Sequence, residues 1–440
     1  MSSELRRRVE SGGLFQGYAY SYPHKTAYRH LTPALPLEEV WRGEDKEALF
    51  LYAHVPFCGM RCGFCNLFTV TSSSVSVEER YLDALDRQTD AALSYLRDAR
   101  FARGAIGGGT PTMLSLNGLE RLFVILRKFC QAPAMPQSVE MSPETVSPEK
   151  LAFLRDQGTT RASMGVQSLI PAETKALGRP QDRAVVERSL GLIREAGFPV
   201  MNVDLIYGIP GQDAGSWEES LRGVMNYCPE EVYLYPLYVR PLTGLGRKGR
   251  AASIEQARLY RQGRDFLLSR GYEQVSMRLF RMTRLHQDSS GPVYCCQEDG
   301  MAGFGAGARS YTRRVHYSTE WAVGRTTVSA ILEDFIGRDE ARFSQAEYGC
   351  ILDAEEERRR FVIKSLLRAD GLSEAAYAER FGNAPLADFP QLQELLAEGA
   401  AVRSDGILRP TALGLEWSDV IGPWMYSPAA QEKMEAFPLQ

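Results

Sequence analysis

Tyr52-Ala-His-Val-Pro-Phe-Cys-Gly-Met-Arg-Cys-Gly-Phe-Cys65 is the stretch from which the fold and the chemistry of this chain can be inferred. It holds three of the eight cysteines, Cys58, Cys62 and Cys65, in a C-x3-C-x2-C spacing. The short apolar run at residues 48–55 predicts a buried strand, which puts the cysteines on the loop that follows. Zinc ribbons and ordinary ferredoxin sites complete their coordination with a fourth protein ligand. Three thiolates instead suit a [4Fe–4S] cluster in which one iron stays free for a substrate or cofactor.

Two simpler interpretations of the cysteines remain open at this point. They could be three separate core residues, since free cysteine is often buried. They could also bind zinc with His54 as the fourth ligand. His54 lies four residues before Cys58 on the predicted strand, so its reach to the same metal is doubtful.

The motif resembles that of a known superfamily. An aromatic residue before the last cysteine, here Phe64, is typical of the radical S-adenosylmethionine (SAM) enzymes. The longer pattern Y-x-H-x-P-F-C resembles the branch typified by oxygen-independent coproporphyrinogen III oxidase, which also has radical C-methylases and cyclopropanases as relatives. The resemblance implies that Cys58, Cys62 and Cys65 bind the cluster and that its open iron binds SAM. It also implies reductive cleavage of SAM to a 5′-deoxyadenosyl radical, with flavodoxin or ferredoxin as electron donor.

Composition and charge exclude several classes of partner. The 51 Lys and Arg residues nearly balance the 55 Asp and Glu residues, for a net charge of −4, so no nucleic-acid partner is expected. No apolar run approaches the roughly 20 residues that cross a bilayer, and no apolar signal core follows Met1. The cysteines outside the motif are odd in number and irregularly spaced, which favours a cytoplasmic protein over a secreted disulfide framework: Cys130, Cys228, Cys295, Cys296 and Cys350.

The pattern of the chain predicts four segments. Residues 1–46 are an aromatic extension that packs on the core or covers the active site, and residues 47–245 alternate strand and helix. Residues 246–345 extend that region on the substrate side, with a strand at Tyr272–Phe280 and a glycine-rich turn at Gly300–Gly307. Residues 346–440 are expected to form a winged-helix-like α+β domain without a basic face, in which Asp405-Gly406 supplies a hairpin turn.

Six short apolar strands, each followed by a helix, predict an α/β fold with a parallel sheet, either doubly wound or curved into a barrel. The resemblance favours a partial (β/α)6 barrel. Parallel sheets bind ligands at the carboxyl ends of their strands, and the motifs of this chain fall there. The predicted strands are residues 48–55, Phe101–Ile106, Ser138–Met141, Thr160–Gly165, Val200–Tyr207 and Glu231–Tyr238.

Polar residues and glycines at these strand ends form the expected SAM site. The glycines allow close approach of the backbone to a ligand. Arg suits a carboxylate, Asp and Gln suit ribose hydroxyls, and Glu suits an ammonium group. The resemblance assigns cofactor binding to Tyr52, Phe64, Gly107, Gly108, Gly109, Thr110, Glu140, Gln167, Arg179, Asp204 and Tyr238. It also makes Tyr52 and His54 candidate catalytic residues, although His54 could equally serve only in packing.

The sequence departs from the decarboxylases at three places. Leu67 stands where they usually carry another cysteine, and Met277–Phe280 lacks an expected polar pair. Tyr294–Gly300 replaces both the oxidase pattern and the H-N-x-x-Y-W motif of haem-handling relatives, and its Cys295 and Cys296 suit a structural role or the substrate pocket. We therefore expect C-methylation or cyclopropanation of a small organic substrate, with a second SAM as carbon donor. Decarboxylation of coproporphyrinogen III is the alternative, and a haem chaperone is the third.

Overall fold

The computed structural model describes residues 3–71, 74–129, 135–283 and 294–438; Cys130 lies outside these ranges. The chain divides into two units. The larger unit consists mainly of residues 29–263 and 296–350, and the smaller unit consists of residues 1–28, 264–295 and 351–437. This division differs from the four predicted segments, because the first 46 residues and residues 246–345 are each shared between the two units.

The strands of the described residues are numbered in chain order. They are β1 Arg29–Pro36, β2 Leu49–Val55, β3 Phe57–Cys58, β4 Val70–Thr71, β5 Phe101–Gly108, β6 Gln137–Met141, β7 Thr159–Gln167, β8 Val200–Tyr207, β9 Glu231–Pro236, β10 Tyr272–Gln274, β11 Leu279–Met282, β12 Met301–Phe304, β13 Arg309–Tyr311, β14 Val315–Ser318, β15 Gln345–Ile351, β16 Leu372–Ser373, β17 Ala401–Ser404 and β18 Ile407–Pro410.

The helices of the described residues are numbered in the same way. They are α1 Glu4–Gly12, α2 Leu37–Val40, α3 Val75–Leu96, α4 Leu116–Leu126, α5 Pro148–Asp156, α6 Pro171–Ala176, α7 Arg183–Glu195, α8 Ala214–Met225, α9 Gly244–Arg247, α10 Gln256–Ser269, α11 Arg325–Gly337, α12 Glu340–Phe343, α13 Ala354–Leu366, α14 Glu374–Phe381, α15 Pro385–Asp388, α16 Leu392–Ala397, α17 Ala412–Glu416, α18 Ser418–Trp424 and α19 Pro428–Glu435. Short 3-10 turns occupy Lys25–Ala27, Pro111–Met113 and Pro143–Thr145.

The larger unit is built on one sheet. Its strands follow the order β1-β15-β14-β13-β12-β2-β5-β6-β7-β8-β9. The run from β12 through β2 to β9 is parallel, and β13 and β14 continue from β12 in antiparallel pairs. Strands β2, β5, β6, β7, β8 and β9 are the six strands predicted from the sequence.

Two predictions for the larger unit need correction. The glycine-rich segment at residues 300–307 is not only a turn, because β12 within it pairs in parallel with β2. Its glycines permit this close pairing: a Cβ at Gly305 would lie 2.6 Å from the carbonyl oxygen of His54. The sixth predicted strand ends at Pro236 rather than at Tyr238. A proline there ends the strand because it has no N–H for the sheet.

The parallel strands are stabilised by an apolar face that packs in the interior. In β2, the alternating residues Leu49, Leu51, Ala53 and Val55 share this face and are fully buried. The helices on the faces of the sheet begin at residues that accept hydrogen bonds from free backbone N–H groups. Asp213, for example, forms a capping box with Ser216 at the start of α8.

The smaller unit is mostly helical, with the three-stranded sheet β16-β18-β17. The predicted hairpin is present: β17 pairs with β18, and Asp405 and Gly406 both have the positive φ that its turn requires. The strand predicted over residues 272–280 is instead the hairpin of β10 and β11. Arg278 forms a buried ion pair with Asp419, at 2.5 Å between Nη2 and Oδ1. This ion pair accounts for a cationic side chain in Met277–Phe280, a segment that departs from the decarboxylase pattern.

Among the described residues, none of the helices combines the length and apolar character that crossing a bilayer requires.

Candidate functional site

A cavity of about 340 Å³ opens near the carboxyl ends of the parallel strands β5 to β8. This is the edge at which parallel sheets bind ligands. Most of the cluster and cofactor residues predicted from the sequence line this cavity. Its lining includes Cys58, Cys62, Phe64, Cys65, Leu67, Gly108, Gly109, Thr110, Glu140, Gln167, Arg179 and Asp204.

The three motif cysteines are free thiols on the wall of this cavity. Burial raises the pKa of the Cys58 thiol to about 11, and it raises the pKa of Cys65 as well. The Thr110 hydroxyl lies 3.7 Å from the Cys58 sulfur, and Arg179 donates from Nη1 to the Cys62 sulfur at 3.4 Å. The Thr110 contact lowers the pKa of Cys58 and so opposes part of the rise caused by burial.

The structure bears on the zinc interpretation of these cysteines. Within the described ranges, no three His, Cys, Asp or Glu side chains lie close enough together to hold one metal ion. The Nε2 atom of His54 lies 2.9 Å from the carbonyl oxygen of Phe68, and this contact leaves the zinc alternative without its fourth ligand.

The glycine triplet Gly107–Gly109, at the end of β5, is required by its surroundings. Gly108 has φ +111°, and a Cβ there would lie 2.5 Å from Cε1 of His54. A Cβ at Gly109 would lie 2.6 Å from the Phe57 carbonyl oxygen, and one at Gly107 would lie 2.7 Å from the Glu140 carboxylate. The triplet therefore packs tightly between the cluster loop and Glu140, and the Gly108 N–H donates to Oε2 of Glu140 at 3.1 Å.

The two acidic residues at the strand ends have raised pKa values. Burial raises the pKa of Glu140, and the nearby Asp204 carboxylate raises it further. Burial likewise raises the pKa of Asp204 to about 6, although Nδ2 of Asn202 donates to Oδ1 of Asp204 at 2.8 Å. A cationic or hydroxyl-bearing ligand in the cavity would replace water around these groups and stabilise the two carboxylates.

Hydrogen bonds hold the Arg179 side chain, and the backbone conformation places Gln167. Arg179 donates from Nη2 to the carbonyl oxygen of Gly165 at 3.0 Å and to the hydroxyl of Ser142 at 3.2 Å. The register of β7 against β8 shifts between Gly165 and Gln167, and Gln167 has φ +69°. Irregularities of this kind change the direction of a side chain at a sheet edge, which accounts for Gln167 on the cavity wall.

Four of the predicted residues do not line the cavity: Gly107, Tyr52, His54 and Tyr238. Tyr52 and His54 lie two positions apart on β2, with the Tyr52 hydroxyl 3.2 Å from Nδ1 of His54. Burial, followed by the nearby Glu140, raises the pKa of Tyr52 well above its usual value. Tyr238 follows the end of β9, where Arg240 lies over its ring at 5.0 Å, and it does not line the cavity. Its assignment to cofactor binding therefore lacks support from the geometry.

The sequence reasoning missed two residues that support the site. Asn202 donates to both Asp204 and Ser163, and its spacing of two from Asp204 on β8 could have identified it. Ser142 lies directly after β6 and lines the cavity. Its position directly after a predicted strand could have identified Ser142 as a site residue. Its contact with Arg179 could not be predicted from the local sequence.

Comparison with known proteins agrees with this geometry. Residues 52–223 match the family model of the radical SAM superfamily, and residues 352–417 match the HemN C-terminal domain. The chain is 30% identical over 285 residues to oxygen-independent coproporphyrinogen III oxidase of Paracoccus denitrificans, a match that covers 62% of this chain and 63% of that protein. It is 28% identical over 366 residues to heme chaperone HemW of Bacillus subtilis, covering 80% of this chain and 92% of that protein.

A solved structure shares the fold. Coproporphyrinogen III oxidase (HemN) from Escherichia coli, described as a radical SAM enzyme, aligns with a TM-score of 0.76 at 23% identity, and the alignment covers 94% of this chain and 99% of that one. This similarity confirms the predicted α/β fold with a partial barrel and a further C-terminal domain.

Proposed function

We propose that this protein is a radical SAM enzyme that oxidatively decarboxylates a carboxylate-bearing substrate of the coproporphyrinogen type. The matches of residues 52–223 to the radical SAM model and of residues 352–417 to the HemN C-terminal domain model support this proposal. One observation carries the proposal: a single cavity is lined by the three motif cysteines together with Glu140, Gln167, Arg179 and Asp204. The similarity to coproporphyrinogen oxidases favours decarboxylation over the methylation expected from sequence alone.

In this proposal each residue of the cavity has a defined task. Cys58, Cys62 and Cys65 would hold a [4Fe–4S] cluster, which with bound SAM supplies a 5′-deoxyadenosyl radical. Arg179 presents a guanidinium group that can pair with the SAM carboxylate. Glu140 can accept hydrogen bonds from the SAM ammonium group.

The remaining residues orient the nucleoside and limit its movement. Asp204 and Gln167 can bind ribose hydroxyls, and the backbone of Gly108 and Gly109 allows close approach of the ligand. Correct placement of the reacting groups supplies much of the rate in such enzymes. The tight packing of the glycine triplet against His54 would hold that placement, which gives His54 a positioning role.

A second candidate function is C-methylation or cyclopropanation with two SAM molecules. The observation in its favour is Leu67, whose side chain lies on the cavity wall where the decarboxylases usually carry a cysteine. An aliphatic side chain cannot donate a hydrogen atom or a proton as a thiol can. A second SAM beside the first would place its methyl group in the same cavity.

One incubation separates these functions. The anaerobically reconstituted, reduced protein receives deuteromethyl-SAM, with and without coproporphyrinogen III. Protiated 5′-deoxyadenosine that forms together with a decarboxylated product supports the main proposal. Deuterated 5′-deoxyadenosine with S-adenosylhomocysteine supports the second candidate. Haem uptake without SAM cleavage, in a parallel sample that also receives haem, overturns both. Cys228→Ala is the matched control for a cluster variant, since Cys228 is an exposed cysteine outside the cavity.

The proposal also requires a partner that delivers one electron at a low potential. Flavodoxin or ferredoxin suits this task, as the sequence led us to expect. Replacing the chemical reductant in the incubation by reduced flavodoxin or reduced ferredoxin tests the proposed electron donor. An absence of SAM cleavage with both proteins would contradict it.

A further inference from the structure

One side chain outside the described lining of the cavity, that of Gln181, contacts both Arg179 and the backbone around Gln167. Its amide oxygen Oε1 accepts a hydrogen bond from Nε of Arg179 at 3.2 Å. Its amide nitrogen Nε2 donates to the carbonyl oxygens of Val166 and Ser168, at 2.6 and 3.1 Å. Because carbonyl oxygens only accept hydrogen bonds, these two contacts fix the orientation of the amide and direct Oε1 toward the guanidinium group.

The backbone around Gln167 forms a tight turn. The Ser168 N–H donates to the Val166 carbonyl oxygen at 2.8 Å, which closes a three-residue turn with Gln167 at its centre. Gln167 has φ +69°, and three-residue turns with a positive central φ are rare and strained. A strained backbone persists only where surrounding contacts determine its conformation, and it is concentrated at functional sites. The contacts that hold this turn therefore also decide where the Gln167 side chain lies on the cavity wall.

Buried side chains hold the residues that follow the turn. The Ser168 hydroxyl donates to Oε2 of Glu173 at 2.6 Å, and the Leu169 N–H donates to the hydroxyl of Ser220 at 3.1 Å. Ser168, Glu173 and Ser220 are all buried. Together with the two bonds from Gln181, these contacts make the turn a rigid anchor for the Gln181 amide.

The local sequence Arg179-Pro180-Gln181 places the two side chains next to each other. A proline disfavours the helical conformation in the residue before it, so Arg179 is expected to be extended. Side chains two positions apart on an extended chain lie on the same side. Asp182, the next residue, caps α7 by accepting from the Ala184 N–H at 2.8 Å. Gln181 thus lies between a proline and a capped helix, which limits the movement of its backbone.

The contact with Gln181 restricts the guanidinium plane of Arg179. A guanidinium group pairs with a carboxylate through two parallel N–H donors, so the orientation of its plane decides whether the pair can form. Nε of Arg179 is bound by Gln181, and Nη2 is bound by the Gly165 carbonyl oxygen. Two contacts at different nitrogens prevent rotation of the plane, whereas either contact alone would permit it.

We propose that Gln181 is a positioning residue for SAM, which holds the Arg179 guanidinium group in the orientation that pairs with the SAM carboxylate and uses the turn at Gln167 as its anchor. This inference rests on the proposed function, in which Arg179 binds that carboxylate. Gln181 acts through Arg179 and does not contact the ligand. Because Gln167 is expected at the ribose hydroxyls, a single amide would set the distance between the groups that bind the two ends of SAM.

The first test measures SAM affinity by equilibrium dialysis against the reconstituted protein. It compares the unmodified protein, Gln181→Met and the control Gln262→Met, because methionine has a similar length but no N–H donor. Gln262 is also a half-buried glutamine outside the described lining of the cavity, and its Nε2 donates to the Ala214 carbonyl oxygen at 2.9 Å. We expect Gln181→Met to bind SAM about tenfold more weakly, since a hydrogen bond to a charged group is lost. The control should stay within about twofold of the unmodified protein.

A double variant distinguishes positioning of Arg179 from general support of the fold. Lysine has neither the planar fork nor the Nε–H group of arginine, so Arg179→Lys removes the contact through which Gln181 is proposed to act. In the Arg179→Lys protein, the additional change Gln181→Met should weaken SAM binding by no more than about threefold. An equal factor in the two backgrounds overturns the inference, as does an unchanged affinity of the single variant Gln181→Met.

Gln181→Glu gives a second measurement of the same role, which also serves if urea unfolding shows that Gln181→Met has lost its fold. The carboxylate would neutralise part of the Arg179 charge and would place an oxygen against the carbonyl oxygens of Val166 and Ser168. Both effects oppose SAM binding, so an affinity equal to that of the unmodified protein overturns the inference.

The same dialysis distinguishes this inference from the proposed function. Absence of SAM binding by the unmodified, reconstituted protein would contradict the proposed function itself. Normal SAM binding by the unmodified protein, with the same affinity in Gln181→Met, would contradict only the positioning role of Gln181.

Discussion

Replacement of Gly108 by alanine should be among the most damaging single-methyl changes in the chain. The backbone at Gly108 has φ +111°, which L side chains rarely adopt, and the new Cβ would lie 2.5 to 2.6 Å from three atoms of the His54 ring. That ring cannot move freely, since its two nitrogens contact the Tyr52 hydroxyl and the Phe68 carbonyl oxygen. Either the ring or the glycine loop must shift.

The two effects can be given magnitudes. Backbone strain of this kind costs about 1–3 kcal/mol, and overpacking of a filled interior costs about 1–3 kcal/mol more. We therefore expect the free energy of unfolding to fall by about 4 kcal/mol. SAM should also bind more weakly, because movement of Gly108 breaks its hydrogen bond to Glu140.

Urea unfolding of the apoprotein measures the first effect, and equilibrium dialysis of SAM against the reconstituted protein measures the second. Gly59→Ala is the matched control, because Gly59 also lines the cavity and the nearest atom to its Cβ would be Met113 Sδ at 3.9 Å. The double variant Gly108→Ala/His54→Ala should regain the part of the loss that is due to the clash. A loss below about 1 kcal/mol, or no coupling between the two sites, would refute this reasoning.

Three further predictions concern the same cavity. Cys62→Ala should abolish SAM cleavage and lower the iron content from about four per chain, while Cys228→Ala should retain both; 5′-deoxyadenosine from Cys62→Ala would contradict the cluster assignment. Arg179→Lys keeps the charge but loses the paired hydrogen bonds, so dialysis should detect SAM binding about tenfold weaker, whereas Arg183→Lys, at an exposed ion pair, should match the unmodified protein. Because burial raises the pKa of Asp204 to about 6, the apoprotein should lose stability as the pH rises from about 4 to 6, by at most about 3 kcal/mol and by less if cavity water reaches the carboxylate. Asp204→Asn should flatten that part of the urea-unfolding profile, and an unchanged slope would assign the pH dependence to other groups.

Much of the candidate site could be predicted because short sequence motifs contain its chemical groups. The spacing of Cys58, Cys62 and Cys65 requires only one loop, and the glycines at residues 107–109 mark the end of a strand. The six parallel strands followed from apolar runs of the right length. Residues at the ends of such strands meet at one edge for any parallel sheet, so Glu140, Gln167 and Asp204 could be grouped before their contacts were known.

Other features depended on long-range contacts. Residues 300–307 look like a turn, because four of the eight are glycines, and only pairing with β2 makes β12 a strand. Tyr238 was assigned to the cofactor set as a strand-end residue, but Pro236 ends the strand before it. The segment Met277–Phe280 lacks the polar pair of the decarboxylases. The role of Arg278 in it became clear only from the ion pair with Asp419, a residue that is distant in sequence.

By itself, the sequence determined the cluster motif, the parallel α/β architecture and the set of strand-end residues, because each depends on neighbours within a few positions. Only the tertiary structure decided that His54 packs beneath Gly108 rather than lining the cavity. It also decided that Gln181 contacts both Arg179 and the carbonyl groups on either side of Gln167. The physical reason is that a cavity is bounded by side chains from segments far apart in the chain, and no local pattern encodes the distance between them.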